Sequence, residues 1–235
     1  MSQPSGLRVH RVESIIHLEA LSEEWEALDR RIRPRTPFTS PLWNLLWWQH
    51  FRAREPLVRD ELFAYAVRGL RGELRAVAPM MITHRPSFGP LRLRQLHFFG
   101  ADTNLTEVRG LACLRQEQGE AIAAVVSDLS RHAGRWDWLE WSGIEGGGQQ
   151  GEEPGVPDGV PLYYLSLPSR WEDLKTRLPR NTKEALRKCY NSLEREGHDW
   201  VFEVVQDPAQ VPAALETFFR LHRARALLQK NLAPK

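Results

Sequence analysis

A pyrophosphate group could be held by residues 116–121 of this chain, which read QEQGEA. At the start of a helix, consecutive backbone N–H groups point at an anion, and the helix dipole favours its negative charge. Gly119 would let the backbone approach the phosphates closely, and the small Ala121 would leave room for them. The alternative is an ordinary solvated helix start, where acids such as Glu117 and Glu120 are also favourable. The residues that would contact the anion are Gln116, Gln118, Gly119 and Ala121.

A basic helix face is a second candidate for binding. The sequence predicts a helix that begins at Asn181 and is closed by Gly197. Lys183, Arg187 and Tyr190 fall near one face of it, which suits a phosphate-rich or acidic acceptor. Glutamates on the same helix offset part of that charge, so an ordinary solvated face is the alternative.

A tryptophan-rich helix is the third candidate. Ser40 can cap it and Pro41 suits its first position, so a helix is predicted to run from there to about residues 54–56. Trp43, Trp47 and Trp48 on this helix cannot all point the same way, so at least one of them can line a groove. Trp43 and Trp47 are therefore candidate acceptor-binding residues, and packing in the core is the alternative.

Other motifs are excluded by their surroundings. Residues 146–151 formally match GxGxxG, but two glutamates and Pro154 follow where a dinucleotide site needs a helix. The eight histidines form no HExxH motif, the two cysteines form no CxxC motif, and there is no GxSxG nucleophile motif. No metal site is expected.

The composition is that of a globular protein with a hydrophobic core. Of 235 residues, 42% are hydrophobic and 26% are charged, and the net charge is only +2. Duplex DNA is therefore not expected as a partner. The two cysteines, the lack of a signal-like N-terminus and the lack of a long apolar stretch predict a cytoplasmic protein with no membrane span.

Hydrophobic periodicity predicts an α/β protein. The expected order is strand 6–14, helix 17–32, a helix from 41 to about 54–56, a hairpin of 61–68 with 73–83, strand 91–99, extended 105–114, helix 119–133 and strand 136–142. After a Gly- and Pro-rich loop, the expectations are strand 163–167, helices opened by Ser169, Asn181 and Asp207, and a strand over 200–205.

This order of elements resembles the GNAT (GCN5-related N-acetyltransferase) fold. Local phrases are similar to one branch, the CelD-like cellulose-biosynthesis acetyltransferases, which are distant relatives of the FemABX peptidoglycan transferases. The resemblance covers about residues 9–225. Its phrases are PFTSPLW (37–43) with Trp47-Trp48 and Phe51, APM (78–80), LRQLHFFG (93–100), LSLP (165–168) with Trp171, NTK (181–183), LRK (186–188) and LEREG (193–197).

The resemblance implies an acyltransferase. Acetyl-CoA or another acyl-CoA would wedge between two splayed strands at the 116–121 string, and the acyl group would pass to an amine or hydroxyl on an exopolysaccharide or cell-envelope precursor. A base then takes the acceptor proton while backbone amides hold the thioester carbonyl. On the geometry of that fold Glu107 is a candidate base, and equally an ordinary strand-edge residue. Tyr163 or Tyr164 is a candidate acid for the leaving thiol.

The resemblance also implies two GNAT-like domains in tandem. Residues 1–167 would form the first, 168–198 a helical connection, and 199–235 only the first strand and helix of a second. That remnant would belong to a truncated product, pack elsewhere or be covered by a partner chain. Two other functions stay open: a non-catalytic degenerate GNAT domain that recognises an acceptor or partner, and an aminoacyl-tRNA-dependent ligase.

Overall fold

A computed structural model of the chain describes residues 6–86, 89, 92–101, 105–141, 165–197 and 201–232. The chain forms two compact units, Met1–Pro154 (unit 1) and Gly155–Lys235 (unit 2). The helices of unit 1 are α1 Ile15–Glu19, α2 Ser22–Asp29, α3 Pro41–Phe51 and α4 Gln118–Arg131. Its strands are β1 Arg8–Val12, β2 Arg59–Leu62, β3 Ala64–Arg68, β4 Leu74–Ala78, β5 Met80–Arg85, β6 Leu93–Phe98, β7 Ala112–Cys113 and β8 Trp138–Leu139. The helices of unit 2 are α5 Trp171–Arg177, α6 Arg180–Arg195 and α7 Val211–Leu232. The predicted α/β class is confirmed.

Unit 1 contains two four-stranded sheets, in the orders β1-β3-β4-β7 and β2-β5-β6-β8. A continuous ribbon of two long strands joins them, because Tyr65 lies opposite Ala78 in one sheet and Leu62 lies opposite Met81 in the next. The ladder is interrupted at Pro79, which has no N–H to donate. The predicted hairpin is thus confirmed, and its two strands serve both sheets.

Helices cover both faces of this ribbon. Alternating side chains of β3 divide between two hydrophobic clusters: Ala64 and Ala66 pack beneath α1, α2 and α3, whereas Tyr65 and Val67 pack beneath α4. The period of two along a strand explains the division, since successive side chains point to opposite faces. The result is a helix–sheet–helix arrangement with a core on each side of the ribbon.

The N-terminal helices differ in part from the prediction. The helix expected over 17–32 is divided into α1 and α2, and it begins earlier because Ser14 Oγ accepts from the His17 N–H at 3.2 Å. The predicted apolar stripe is nevertheless buried, with Trp25 and Leu28 in the core. Helix α3 begins as expected: Ser40 Oγ accepts from the Trp43 N–H at 3.2 Å, and Pro41 is the first residue.

Several predicted strands are shorter than expected or missing. Of the extended stretch 105–114 only β7 is a strand, and of the stretch 136–142, which the structure describes as far as residue 141, only β8. Residues 165–167 and 201–205 form no strand, so those predictions are wrong over the described part. Tyr163, Tyr164 and Trp200, like the glycine-rich stretch 146–151, lie outside the described residues.

The helices of unit 2 begin where the capping patterns did not place them. Helix α5 follows Arg170 and α6 follows Pro179, and neither of these residues makes a side-chain capping bond. Gly197 closes α6 as predicted, with a φ of 64° that favours glycine. No helix in the described part of the chain is both long enough and apolar enough to cross a membrane.

Candidate functional site

The single parallel pair among the described strands, β6 with β8, organises the candidate site. The chain passes from β6 through β7 and helix α4 to β8, so α4 returns it to the start of β8. The first turn of α4 lies beyond the carboxyl end of β6. Phe99, which follows β6, donates its N–H to the Pro79 carbonyl at 2.9 Å. Glu117, which precedes α4, pairs with Arg75, and Arg75 lies further along the ribbon strand that contains Pro79. In open α/β sheets, ligands bind outside the carboxyl ends of strands.

The predicted anion-binding string lies at the start of α4. Gln116 belongs to a short 3₁₀-helix, Arg115–Glu117, and α4 begins at Gln118. Gln116 and Gly119 are exposed, and a methyl group added at Gly119 would meet no atom within 4 Å. The space around the Gly119 Cα is open, so packing within the described structure does not require glycine at this position, while the neighbouring Gln118 N–H donates to the Arg115 carbonyl.

Ala121 is buried, unlike Gln116 and Gly119 of the same string. Its side chain is fully buried in the core beneath α4, where it packs with residues of the ribbon. A small residue here is therefore explained by close packing of α4 against the sheet. Only the backbone of Ala121 can contribute to an anion site.

An ion pair occupies the N-terminus of α4. Arg75 Nη2 lies 2.7 Å from Glu117 Oε1, and Glu117 is the residue immediately before the helix. Its other carboxylate oxygen is buried without a hydrogen-bond partner, as is Arg75 Nε. Burial, and then the charge of Glu117, raises the pKa of the nearby Cys113 thiol to about 11. Sequence reasoning missed Arg75, because no local pattern links β4 to α4.

Glu107 lies between the end of β6 and β7. It is exposed and sits in a bend, not on the strand expected there. The preceding residue, Thr106, is buried and accepts the indole N–H of Trp43 at 3.2 Å, which ties this segment to α3. Gly100, with a φ of 84°, makes the approach possible, because a Cβ there would overlap the Thr106 side chain.

The three tryptophans of α3 have different environments. Trp43 is half-buried against Phe38 at a ring-centroid distance of 5.1 Å, and it keeps one part open. Trp47 and Trp48 are each only 3% exposed and stack on Phe99. Trp47 is therefore a core residue whose faces are covered, and Trp43 is the candidate that an acceptor can reach.

A buried polar network links the strands beneath α3. Thr83 Oγ1 donates to Asp60 Oδ1 at 2.6 Å and lies 2.6 Å from His97 Nε2. The one hydroxyl proton goes to Asp60, so His97 must donate from Nε2. Thr83 and His97 are both fully buried, so the network joins β2, β5 and β6 and does not face a substrate. No local sequence pattern indicates this arrangement, because the three residues come from strands distant in the chain.

In unit 2 the candidate residues Lys183 and Arg187 lie together. They line one groove of about 400 Å³ between α5 and α6, which we call the α5–α6 groove. Its other lining residues are Trp171, Lys175, Leu186 and Tyr190. The predicted clustering of Lys183, Arg187 and Tyr190 on one helix face thus appears in the structure, because i, i+4 and i+7 positions align.

Among the described residues, no three His, Cys, Asp or Glu side chains are grouped so that they could hold a metal ion. No protein-family model, no curated protein and no solved structure matches this chain.

Proposed function

We propose that this chain is an acyl-CoA-dependent N- or O-acyltransferase of the GNAT type. The observation that carries the proposal is the connection from β6 through β7 and α4 to β8: a parallel strand pair whose crossover helix begins beyond the carboxyl end of β6, with open space around Gly119. The start of a helix suits the pyrophosphate of acetyl-CoA or another acyl-CoA, because the helix dipole favours negative charge there.

The chemistry assigned to the site is acyl transfer from a thioester. An amine or hydroxyl of the acceptor attacks the thioester carbonyl, and the C–S bond breaks to release the thiol of coenzyme A. Glu107 is the proposed base for the acceptor proton, and its exposed position beside Thr106 leaves it accessible. Tyr163 or Tyr164 would protonate the leaving thiolate. The proposed acceptor is an envelope or exopolysaccharide-related precursor, and its candidate contacts are Trp43 in unit 1 and, separately, Lys183 and Arg187 in unit 2.

The experiment is a thermal-shift titration of the full chain with acetyl-CoA. A ligand that binds only the folded state raises the melting temperature as its concentration exceeds Kd. We expect a saturable rise that Gly119→Trp abolishes and Gly119→Ala keeps, because an alanine methyl has free space around it and an indole would cover the amides. A flat response from a cooperatively melting protein contradicts the proposal.

A second function is favoured by one specific observation, the Arg75–Glu117 ion pair. It places a carboxylate where a phosphate would approach, as expected of a degenerate GNAT domain that recognises an acceptor or partner chain without catalysis. Such a protein would show no acetyl-CoA shift, yet would still bind through Trp43 or the α5–α6 groove. The same titration therefore separates the two functions.

A further inference from the structure

The α5–α6 groove has the size of a small-molecule site. Its volume of about 400 Å³ falls within the range of about 300–1,000 Å³ that holds small organic ligands. The two helices are joined only by Leu178 and Pro179. Lys183 Nζ donates to the Thr176 carbonyl at 2.9 Å and holds the ends of the hairpin together.

Of the three cations that line the groove, Lys175 pairs with Glu172 at 3.9 Å, whereas Lys183 and Arg187 have no carboxylate partner in the described part of the chain. Lys183 makes its bond to a neutral carbonyl, and Arg187 forms no ion pair within the described part of the chain. The nearest acid on α6, Glu184, pairs with Arg180 at 3.0 Å. Two adjacent cations without a carboxylate between them are suited to phosphate oxygens, which a guanidinium binds in bidentate fashion.

Aromatic rings supply the other half of the groove. Trp171 and Tyr190 are each 44% exposed, and the Lys175 ammonium lies 5.9 Å from the centre of the Trp171 ring. Partly exposed aromatic rings beside cations are the elements with which proteins stack a nucleobase and hold its phosphates. Inorganic phosphate would use only the cations, and an uncharged ring only the aromatic side.

We propose that the α5–α6 groove binds a nucleoside diphosphate group, with its base against Trp171 and Tyr190 and its phosphates against Lys183 and Arg187. The inference stands on unit 2 and goes beyond acyl transfer. Two ligands carry this chemistry: coenzyme A, through its adenosine phosphates, and a nucleotide-activated sugar.

The test is isothermal titration of the full chain with ADP, adenosine and inorganic phosphate. We expect ADP to bind at least about tenfold tighter than either fragment, since both halves of the groove contribute. Arg187→Ala should weaken ADP about tenfold or more. The matched control is Lys188→Ala, which removes one charge from the next position of the same helix, outside the groove, and should leave ADP binding unchanged.

A third variant tests the aromatic side. Trp171→Leu should weaken ADP but not phosphate, and circular dichroism checks that each variant keeps its helices. Equal losses in Arg187→Ala and Lys188→Ala would overturn the proposal, because general charge would then explain binding. ADP binding no tighter than phosphate would overturn it as well.

Separate titrations identify the source of the nucleotide. UDP-glucose binding that Arg187→Ala weakens assigns the groove to an activated sugar. An acetyl-CoA response lost in Arg187→Ala but kept in Gly119→Trp assigns it to the coenzyme and contradicts the α4 site. ADP binding retained in Gly119→Trp shows that failure at α4 leaves the groove proposal intact.

Discussion

Arg75, on the central ribbon, forms an ion pair with Glu117, the residue that precedes α4. The distance between Arg75 Nη2 and Glu117 Oε1 is 2.7 Å. The contact lies where the proposed cofactor phosphates would meet the helix. A bound pyrophosphate would compete with Glu117 for Arg75 and for the positive end of the helix dipole. The ion pair therefore decides how much affinity this helix start has for an anion.

We expect Glu117→Gln to tighten acetyl-CoA binding severalfold. The change removes a negative charge beside the helix amides and releases Arg75 for phosphate. It should also lower the free energy of unfolding by up to about 1 kcal/mol, because a favourable N-terminal charge is lost. Titration calorimetry and urea unfolding measure the two effects. Glu120→Gln is the matched control, since it removes a charge from the same turn without releasing Arg75; equal affinities in both variants would contradict the prediction.

Gly100→Ala should destabilise unit 1 strongly. The residue has a φ of 84°, and its new methyl group would overlap Thr106 and displace the partner of the Trp43 indole. Gly72→Ala is the control, because Gly72 has a φ of 88° but nothing within 4 Å. We expect a loss of about 1 kcal/mol for Gly72→Ala, from backbone strain alone. Gly100→Ala should lose at least about 1 kcal/mol more because of the overlap, and melting temperatures that fall equally would refute the assignment.

Thr83→Val should cost about 2 kcal/mol of the free energy of unfolding, measured in urea. Valine has nearly the shape of threonine, but it leaves the buried His97 N–H without its acceptor and Asp60 Oδ1 without the Thr83 hydroxyl, although Asp60 Oδ2 still accepts from the Ala53 N–H. Thr83→Ser keeps the hydroxyl and loses only a methyl group, so about 1 kcal/mol is expected. A valine variant as stable as the unchanged protein would show that the network contributes no stability.

The two cysteines should differ sharply in alkylation. Cys113 is buried and its pKa is raised to about 11, so at pH 8 almost all of it is the unreactive thiol, whereas Cys189 is exposed. Mass spectrometry after brief iodoacetamide treatment should find label on Cys189 alone. In urea both should react. Rapid labelling of Cys113 in the folded Cys189→Ser variant would contradict the burial described for β7.

Local patterns predicted the helices best. Ser40 and Pro41 located the start of α3, and the apolar stripe through Val125 and Leu129 located α4, because capping and a period of 3.6 depend on neighbouring residues alone. The lengths of β7 and β8 were not predictable, since each is set by a partner distant in sequence. Alternating hydrophobic and polar residues predict a strand, but they do not indicate at which residue its hydrogen-bonded pairing ends.

The candidate site was predicted only in its local parts. The position of Gly119 at a helix start followed from the sequence, as did the shared face of Lys183 and Arg187. The burial of Trp47 and the pairing of Glu117 with Arg75 depend on how layers pack, and sequence spacing carries no such information. The burial removes Trp47 from the residues that can contact a ligand, and the ion pair engages both Glu117 and Arg75.

The central ribbon has a consequence for how unit 1 tolerates change. Its two strands keep one register from Leu62–Met81 to Tyr65–Ala78, and their alternate side chains supply both cores. Deleting a single residue from β3 would exchange the sides on which Ala66 and Val67 lie, and would put bulk where α2 needs a small neighbour while opening a void beneath α4. The deletion would thus disturb the packing of both helical layers. Insertions and deletions in this protein should therefore accumulate outside these strands.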